Sequence, residues 1–120
     1  MTETTVNTQI GHKWYARPVF FVADVEASLR FYMDKLKFTK KWHKGTVCQV
    51  DHGECEIILC QSDKRQDKGR LFVELTSAGV EDLRREIAER SVQFDKTWWG
   101  YDCIRITDPD GHELLFPIEE

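Results

Sequence analysis

The chain has 120 residues, with 17 Lys and Arg against 21 Asp and Glu for a net charge of −4, and 41% of its residues are hydrophobic and 12% aromatic. That is enough for one domain, or for two half-domains that share a core, and too little for a multi-domain enzyme. The two signs of charge are interspersed, which leaves no concentrated basic face for nucleic acid, and the longest apolar run, Val19 to Ala23, is far below the roughly 20 residues of a membrane-crossing helix.

The start, Met1 to Gln9, is polar and Thr-rich, without the basic and apolar stretches of a secretory signal, so a loose tail over residues 1–14 and a cytoplasmic protein are expected. Arg17-Pro-Val-Phe-Phe-Val22 is a short β-branched and aromatic run that predicts a strand. Asp24 then stands as a helix N-cap, and Val25, Leu29, Tyr32, Met33 and Leu36 fall at helical spacing, so the helix is expected to run to about Lys37. Extended pieces follow at about 38–43, 46–51 and 54–60, punctuated by Gly45 and by Asp51-His-Gly53, and read as an antiparallel meander. Residues 61–69 are nearly all polar or charged and make the natural linker.

After the linker the order repeats: a strand at 71–75, a helix through Val80, Leu83, Ile87 and Ala88, then extended segments near 92–96, 102–107 and 113–118. The closing hairpins of the two halves, Cys48 to Ile58 and Ile104 to Leu115, each run an alternating strand into an Asp- and Gly-containing turn and out into an apolar strand. The expected fold is α+β: one domain over 15–120 built from two tandem β-α-β-β-β modules, about 16–60 and 70–118. Each helix would cover one face of its sheet, and the other faces would curl around a cleft. Cys48, Cys55, Cys60 and Cys103 lie in apolar strand-like segments and form no C-x-x-C pair, so they read as small buried hydrophobes.

Val22-Ala-Asp-Val-Glu-Ala-Ser-Leu-Arg-Phe-Tyr32, followed by Leu36-Lys-Phe38, resembles the opening of the glyoxalase, bleomycin-resistance and extradiol-dioxygenase superfamily. Asp108-Pro-Asp-Gly111 leading into Leu114-Leu-Phe116 resembles its closing hairpin. Lys37 stands where that family usually has Gly, which would put a side chain at a left-handed cap. The resemblance implies the paired-module fold and leaves the activity open, since such families include metal-dependent enzymes as well as metal-free antibiotic-binding proteins. In the metal-dependent members, His, Gln or Glu ligands stand on strands one, four, five and eight. The matching positions here fall on Arg17, near Leu59, on Arg70 to Phe72 and on Leu115. Arg and Leu cannot ligate a cation, and even a one-residue slip supplies only Glu56, Glu74 and Glu113. No metal and no other cofactor is expected.

Among the histidines, His12 lies in the tail, His43 and His52 are the only pair near each other in sequence, His52 reads as a solvated turn residue with a metal-binding loop as the alternative, and His112 has a structural place after the closing turn. No Ser-His-Asp spacing, nucleophile elbow or phosphate loop is visible. Aromatic surface is over-supplied instead, because Trp14, Trp42, Trp98, Trp99 and Tyr101 all lie in or beside loops and strand ends. A stacking cleft accounts for the set. In the metal-free resistance proteins that this chain resembles, flat parts of a glycopeptide antibiotic stack on aromatic side chains after the first helix, where Trp42 stands. Arg17, inside the predicted first strand, could hold a ligand carboxylate or phosphate. The candidate ligand-binding residues are Trp42, Trp98, Trp99, Tyr101, Arg17, Phe38, Leu59 and Leu115, with no catalytic residue assigned. The expectation is a homodimer that sequesters a small planar molecule, cationic antibiotic-like compounds among the candidates, in an aromatic cleft at the dimer interface. The alternatives are a superfamily enzyme with an atypical metal or acid–base site, and a protein whose aromatic face only dimerises.

Overall fold

The computed structural model describes residues 14–118 except Gln66. The expected tail, and His12 with it, therefore lies outside the described residues apart from Trp14. The first module comprises β1 (Val19–Val22), α1 (Val25–Arg30), β2 (Thr39–Lys44), β3 (Val47–His52) and β4 (Cys55–Gln61). The second comprises β5 (Arg70–Phe72), α2 (Ser77–Glu89), β6 (Asp95–Trp98), β7 (Asp102–Thr107) and β8 (Glu113–Pro117). Each module is a four-stranded sheet, ordered β1-β4-β3-β2 and β5-β8-β7-β6, in which the first strand runs parallel to the last and the others are antiparallel. The tandem repeat expected from the sequence is thus a repeat of topology.

Local chemistry sets the element ends. The Asp24 carboxylate accepts from the Glu26 and Ala27 amides at 3.0 and 3.2 Å, which closes the first turn of α1. The helical path continues through a π-helical segment, Phe31–Lys35, and ends where Lys37 takes the left-handed conformation (φ 65°) that the resemblance implies at this cap. β1 starts at Val19, two residues later than expected, because Pro18 has no N–H for the ladder; its carbonyl still accepts from the Ile58 amide at 3.0 Å. β6 also starts later, at Asp95, since left-handed Ser91 (φ 54°) lets the Val92 amide cap the Ile87 carbonyl and sends Val92 into the core.

Strand alternation sorts each sheet into two faces. Phe20, Val22, Cys48, Val50, Ile57 and Leu59 pack with Val25, Leu29 and Tyr32 of the helical segment, and Ile104, Ile106, Leu114 and Phe116 extend the same cluster through the second sheet to Ile87. One apolar core therefore spans both modules. Cys48 and Cys103 are buried, Cys55 and Cys60 half-buried. Among the described residues, no helix is long and apolar enough to cross a membrane.

The modules are joined by the turn Asp108-Pro-Asp-Gly-His112. Tyr32, fully buried, donates its hydroxyl to Asp108 Oδ2 at 2.8 Å, while Asp108 Oδ1 accepts from the Asp110 and His112 amides, each at 2.9 Å. Asp110 accepts from the Ala23 amide at 2.8 Å and from Ser28 Oγ at 3.1 Å. His112 stacks on Phe20 with ring centroids 4.4 Å apart, accepts from the Gly69 amide at Nδ1 and faces the Phe21 carbonyl with Nε2. The accepting Nδ1 leaves the proton on Nε2, which donates to that carbonyl. Gly69 is required here, because a Cβ would lie 2.5 Å from the Phe20 ring.

Tyr32→Phe removes the hydroxyl from a buried carboxylate and is expected to cost about 1–3 kcal/mol in urea unfolding. Burial holds the Asp108 carboxyl above its ordinary value of 3.8, an effect that the Tyr32, His112 and Asp110 hydrogen bonds only partly offset. An acid raised in the folded state contributes stability that is full below its unfolded value and is lost as the pH rises through its folded value. Subtracting the pH–stability profile of Asp108→Asn from that of the wild type should therefore leave a difference that falls as the pH climbs from below 3.8. A flat difference would contradict this.

Candidate functional site

The face of the first sheet turned away from α1 is organised by Gln49, a polar residue only 1% exposed. Its Oε1 accepts from Arg17 Nη1 at 2.7 Å and from Trp42 Nε1 at 3.1 Å, and its Nε2 donates to Asp51 Oδ1 and Glu56 Oε1, each at 2.9 Å. All four capacities of the amide are used, and the donors around Oε1 fix its orientation. Trp42 reaches this hub because a register shift between Lys40 and Trp42 sets it opposite Gln49 across β2 and β3. The Tyr15 hydroxyl donates to Glu56, and its ring lies 5.6 Å from the Arg17 guanidinium. Arg17 is exposed and has no carboxylate partner among the described residues.

The second sheet presents a related arrangement. Arg70, at the head of its module as Arg17 is of the first, bonds Glu113 Oε1 at 3.1 Å and lies 5.5 Å from the Trp99 ring. Trp99 meets Phe72 edge-on with centroids 6.0 Å apart. Arg105 pairs with Asp95 at 2.6 Å and Glu113 at 3.7 Å, and its hydrogen bond holds the Asp95 carboxyl below the usual range. Each sheet thus exposes a guanidinium beside an aromatic ring.

Of the residues singled out from the sequence, Arg17 and Trp42 meet at Gln49, and Trp99 joins Arg70 and Phe72. Trp98 is 70% exposed at the end of edge strand β6, and Tyr101 is half exposed in the adjoining turn, where its carbonyl accepts from the Trp99 amide at 2.9 Å. Leu115 is buried on the same side of its sheet as its cross-strand neighbours Phe72 and Arg105. Phe38 packs edge-on to Tyr32 and His52 and borders a cavity of about 670 Å³ between the modules that no tryptophan lines. Leu59 needs correction as a surface candidate, since strand parity turns it into the core under α1, where it is fully buried. Glu56 and Glu113, the one-residue-slip candidates, do reach these faces. Gln49 is the member that sequence reading passed over; a lone amide between Cys48 and Val50 in an alternating strand was its signal.

These faces do not fit a divalent cation. Guanidinium groups stand at two of the expected ligand positions, Glu113 is taken by two arginines, and no three His, Cys, Asp or Glu side chains converge among the described residues.

The profile of the Glyoxalase/Bleomycin resistance protein/Dioxygenase superfamily matches residues 14–116. Similar solved structures include a bleomycin-binding protein from bleomycin-producing Streptomyces verticillus complexed with copper(II)-bleomycin, at 22% identity and TM-score 0.68, with 90% of this chain and 98% of that chain covered. A lactoylglutathione lyase from Agrobacterium tumefaciens shares 13% identity at TM-score 0.69, over 88% of this chain and 94% of the other. The fosfomycin resistance protein FosX from Listeria monocytogenes, with manganese(II) and a dihydroxypropylphosphonic acid, shares 14% identity at TM-score 0.67, with 91% of each chain covered. At these identities the likeness is one of fold. No curated protein matches the chain.

Gln49→Leu keeps the volume but strands the Trp42 and Arg17 donors. The indole N–H resonance of Trp42, assigned through Trp42→Phe, should shift upfield as it loses its acceptor, with a stability loss of about 1–3 kcal/mol. An unmoved resonance would show that Gln49 does not position Trp42.

Proposed function

The chain belongs to the Glyoxalase/Bleomycin resistance protein/Dioxygenase superfamily, and on that premise we propose that it binds a small planar organic molecule without a metal ion and acts by sequestering it. The observation that carries this reading is that guanidinium–aromatic pairs stand where the resemblance implies cation ligands: Arg17 with Tyr15 on the first sheet, beside Trp42 at the shared Gln49 acceptor, and Arg70 with Trp99 on the second, where Trp99 also meets Phe72. A flat ring gains dispersion and quadrupole attraction from indole faces, and the guanidinium planes extend the stacking surface. The bleomycin-binding neighbour is a structure of this fold with an antibiotic bound.

Val19, Phe72, Trp99 and Tyr101 are too exposed for a monomer's surface to leave bare without cost. A homodimer that pairs these faces would cover them and close the ligand between two aromatic walls. A cytoplasmic location suits the free thiols of Cys48, Cys55 and Cys60.

Metal analysis of the purified protein should find no stoichiometric divalent ion, and chelators should leave its melting temperature unchanged; one tightly held Zn, Ni, Mn or Fe per chain would overturn the reading. In calorimetric titrations with a bithiazole glycopeptide and a panel of flat aromatic compounds, Trp42→Ala and Trp99→Ala should each weaken the best binder. Loss of a stacking wall, worth about 1 kcal/mol, corresponds to roughly fivefold. Trp98→Ala should change it less. Tight binding by both folded wall variants would return these side chains to a purely structural role.

A further inference from the structure

The cavity between the modules touches the open sheet faces at Glu56 and Phe72, but no tryptophan or arginine lines it, and it has a chemistry of its own. Its volume, about 670 Å³, falls within the range of small-molecule sites. Leu36 and Phe38 from the first module and Leu83 and Phe116 from the second form much of an apolar floor.

Its charged lining is one-sided. Glu54 and Glu56 stand on the bank formed by the β3–β4 hairpin, and Glu74, Asp82 and Glu86 on the bank formed by β5, α2 and the segment between them; Lys35 is the only Lys or Arg in the lining. Five carboxylates against one ammonium leave a net of −4, which is the formal net charge of the whole chain, so the rest of the molecule is balanced. Lys37 reaches Glu86 at 3.3 Å and Arg85 reaches Asp82 at 2.6 Å from outside the lining. Glu56 is bonded by Gln49 and Tyr15. Glu54 and Glu74 have no cationic partner among the described residues.

We propose that this cavity is a second binding site, for a small amphiphile with an apolar body and a cationic head. The apolar floor removes the body from water, and the head sits at the mouth between carboxylates of both banks, relieving their mutual repulsion. An anion of the same shape gains the floor but meets the full negative field.

Decylammonium and decanoate share a chain and differ in charge, so calorimetric titration of each into the full-length protein at pH 7 separates the two contributions. Decylammonium should bind at least tenfold more tightly than decanoate. The double variant Glu54→Gln/Glu74→Gln should weaken decylammonium about three- to tenfold while leaving or improving decanoate, as expected for partly exposed charge pairs. Leu83→Trp, which fills the floor, should abolish binding of both. Trp42→Ala, at a residue outside the lining, should leave decylammonium binding unchanged, which separates this site from the Trp42 stacking wall whether or not that wall binds a ligand. Equal affinity for the two probes, no binding of decylammonium, indifference to the charge variant, or decylammonium binding that survives in a folded Leu83→Trp protein would each overturn the proposal. If Leu83→Trp does not fold, the charge variant and the probe pair decide it.

Discussion

The structure depends on one buried contact between distant parts of the chain, the seating of the closing turn of the second module against the first helical segment. Tyr32 and Asp108 are 76 residues apart in sequence, and His112 and Phe21 are 91 apart. A carboxylate is costly to bury, and Asp108 is tolerable because two amides and a phenol hydroxyl replace its water. The same turn caps the chain at Ala23 through Asp110, so the entry to α1 and the exit of β7 are positioned by one group of bonds. With that turn seated, the apolar sides of both sheets share one core and their polar sides are left facing outward.

That division explains how much could be read from the sequence. The two-module order, the Asp24 cap and the closing turn were legible, because each is encoded by local periodicity or by residues that favour caps and turns, whereas the left-handed Lys37 followed only from the family resemblance. Boundaries moved where backbone chemistry intervened, at Pro18 and at Ser91. Face assignment was less legible. A strand position is worth nothing without parity, and an uncertainty of one residue put Leu59 on the wrong side while leaving Arg17 and Trp42 together. The cavity could not be read at all, since its walls come from both modules and its lining collects five carboxylates that are separated in sequence.

The open faces show how a fold keeps its geometry while its chemistry changes. A guanidinium brings a fixed positive charge and a planar stacking surface, but no lone pair for a metal. The solved relatives include a lyase, a manganese-bound resistance protein and an antibiotic-binding protein on closely similar backbones. On this fold, the chain's own chemistry is carried by side chains such as Arg17, Gln49 and Arg70 and by the hydrogen bonds that hold them.

The strand orders have a further consequence, for how copies of the molecule meet. The outer edge of the first sheet is β2, and three of its six residues are lysines, Lys40, Lys41 and Lys44; the opposite edges, β1 and β5, have only four and three residues. Short or lysine-rich edges are poor templates for adding a strand from another chain, because pairing would bring like charges together for few backbone hydrogen bonds. Fibre-like growth through the sheet edges is thereby discouraged, and the broad faces are left as the surfaces on which association would be productive.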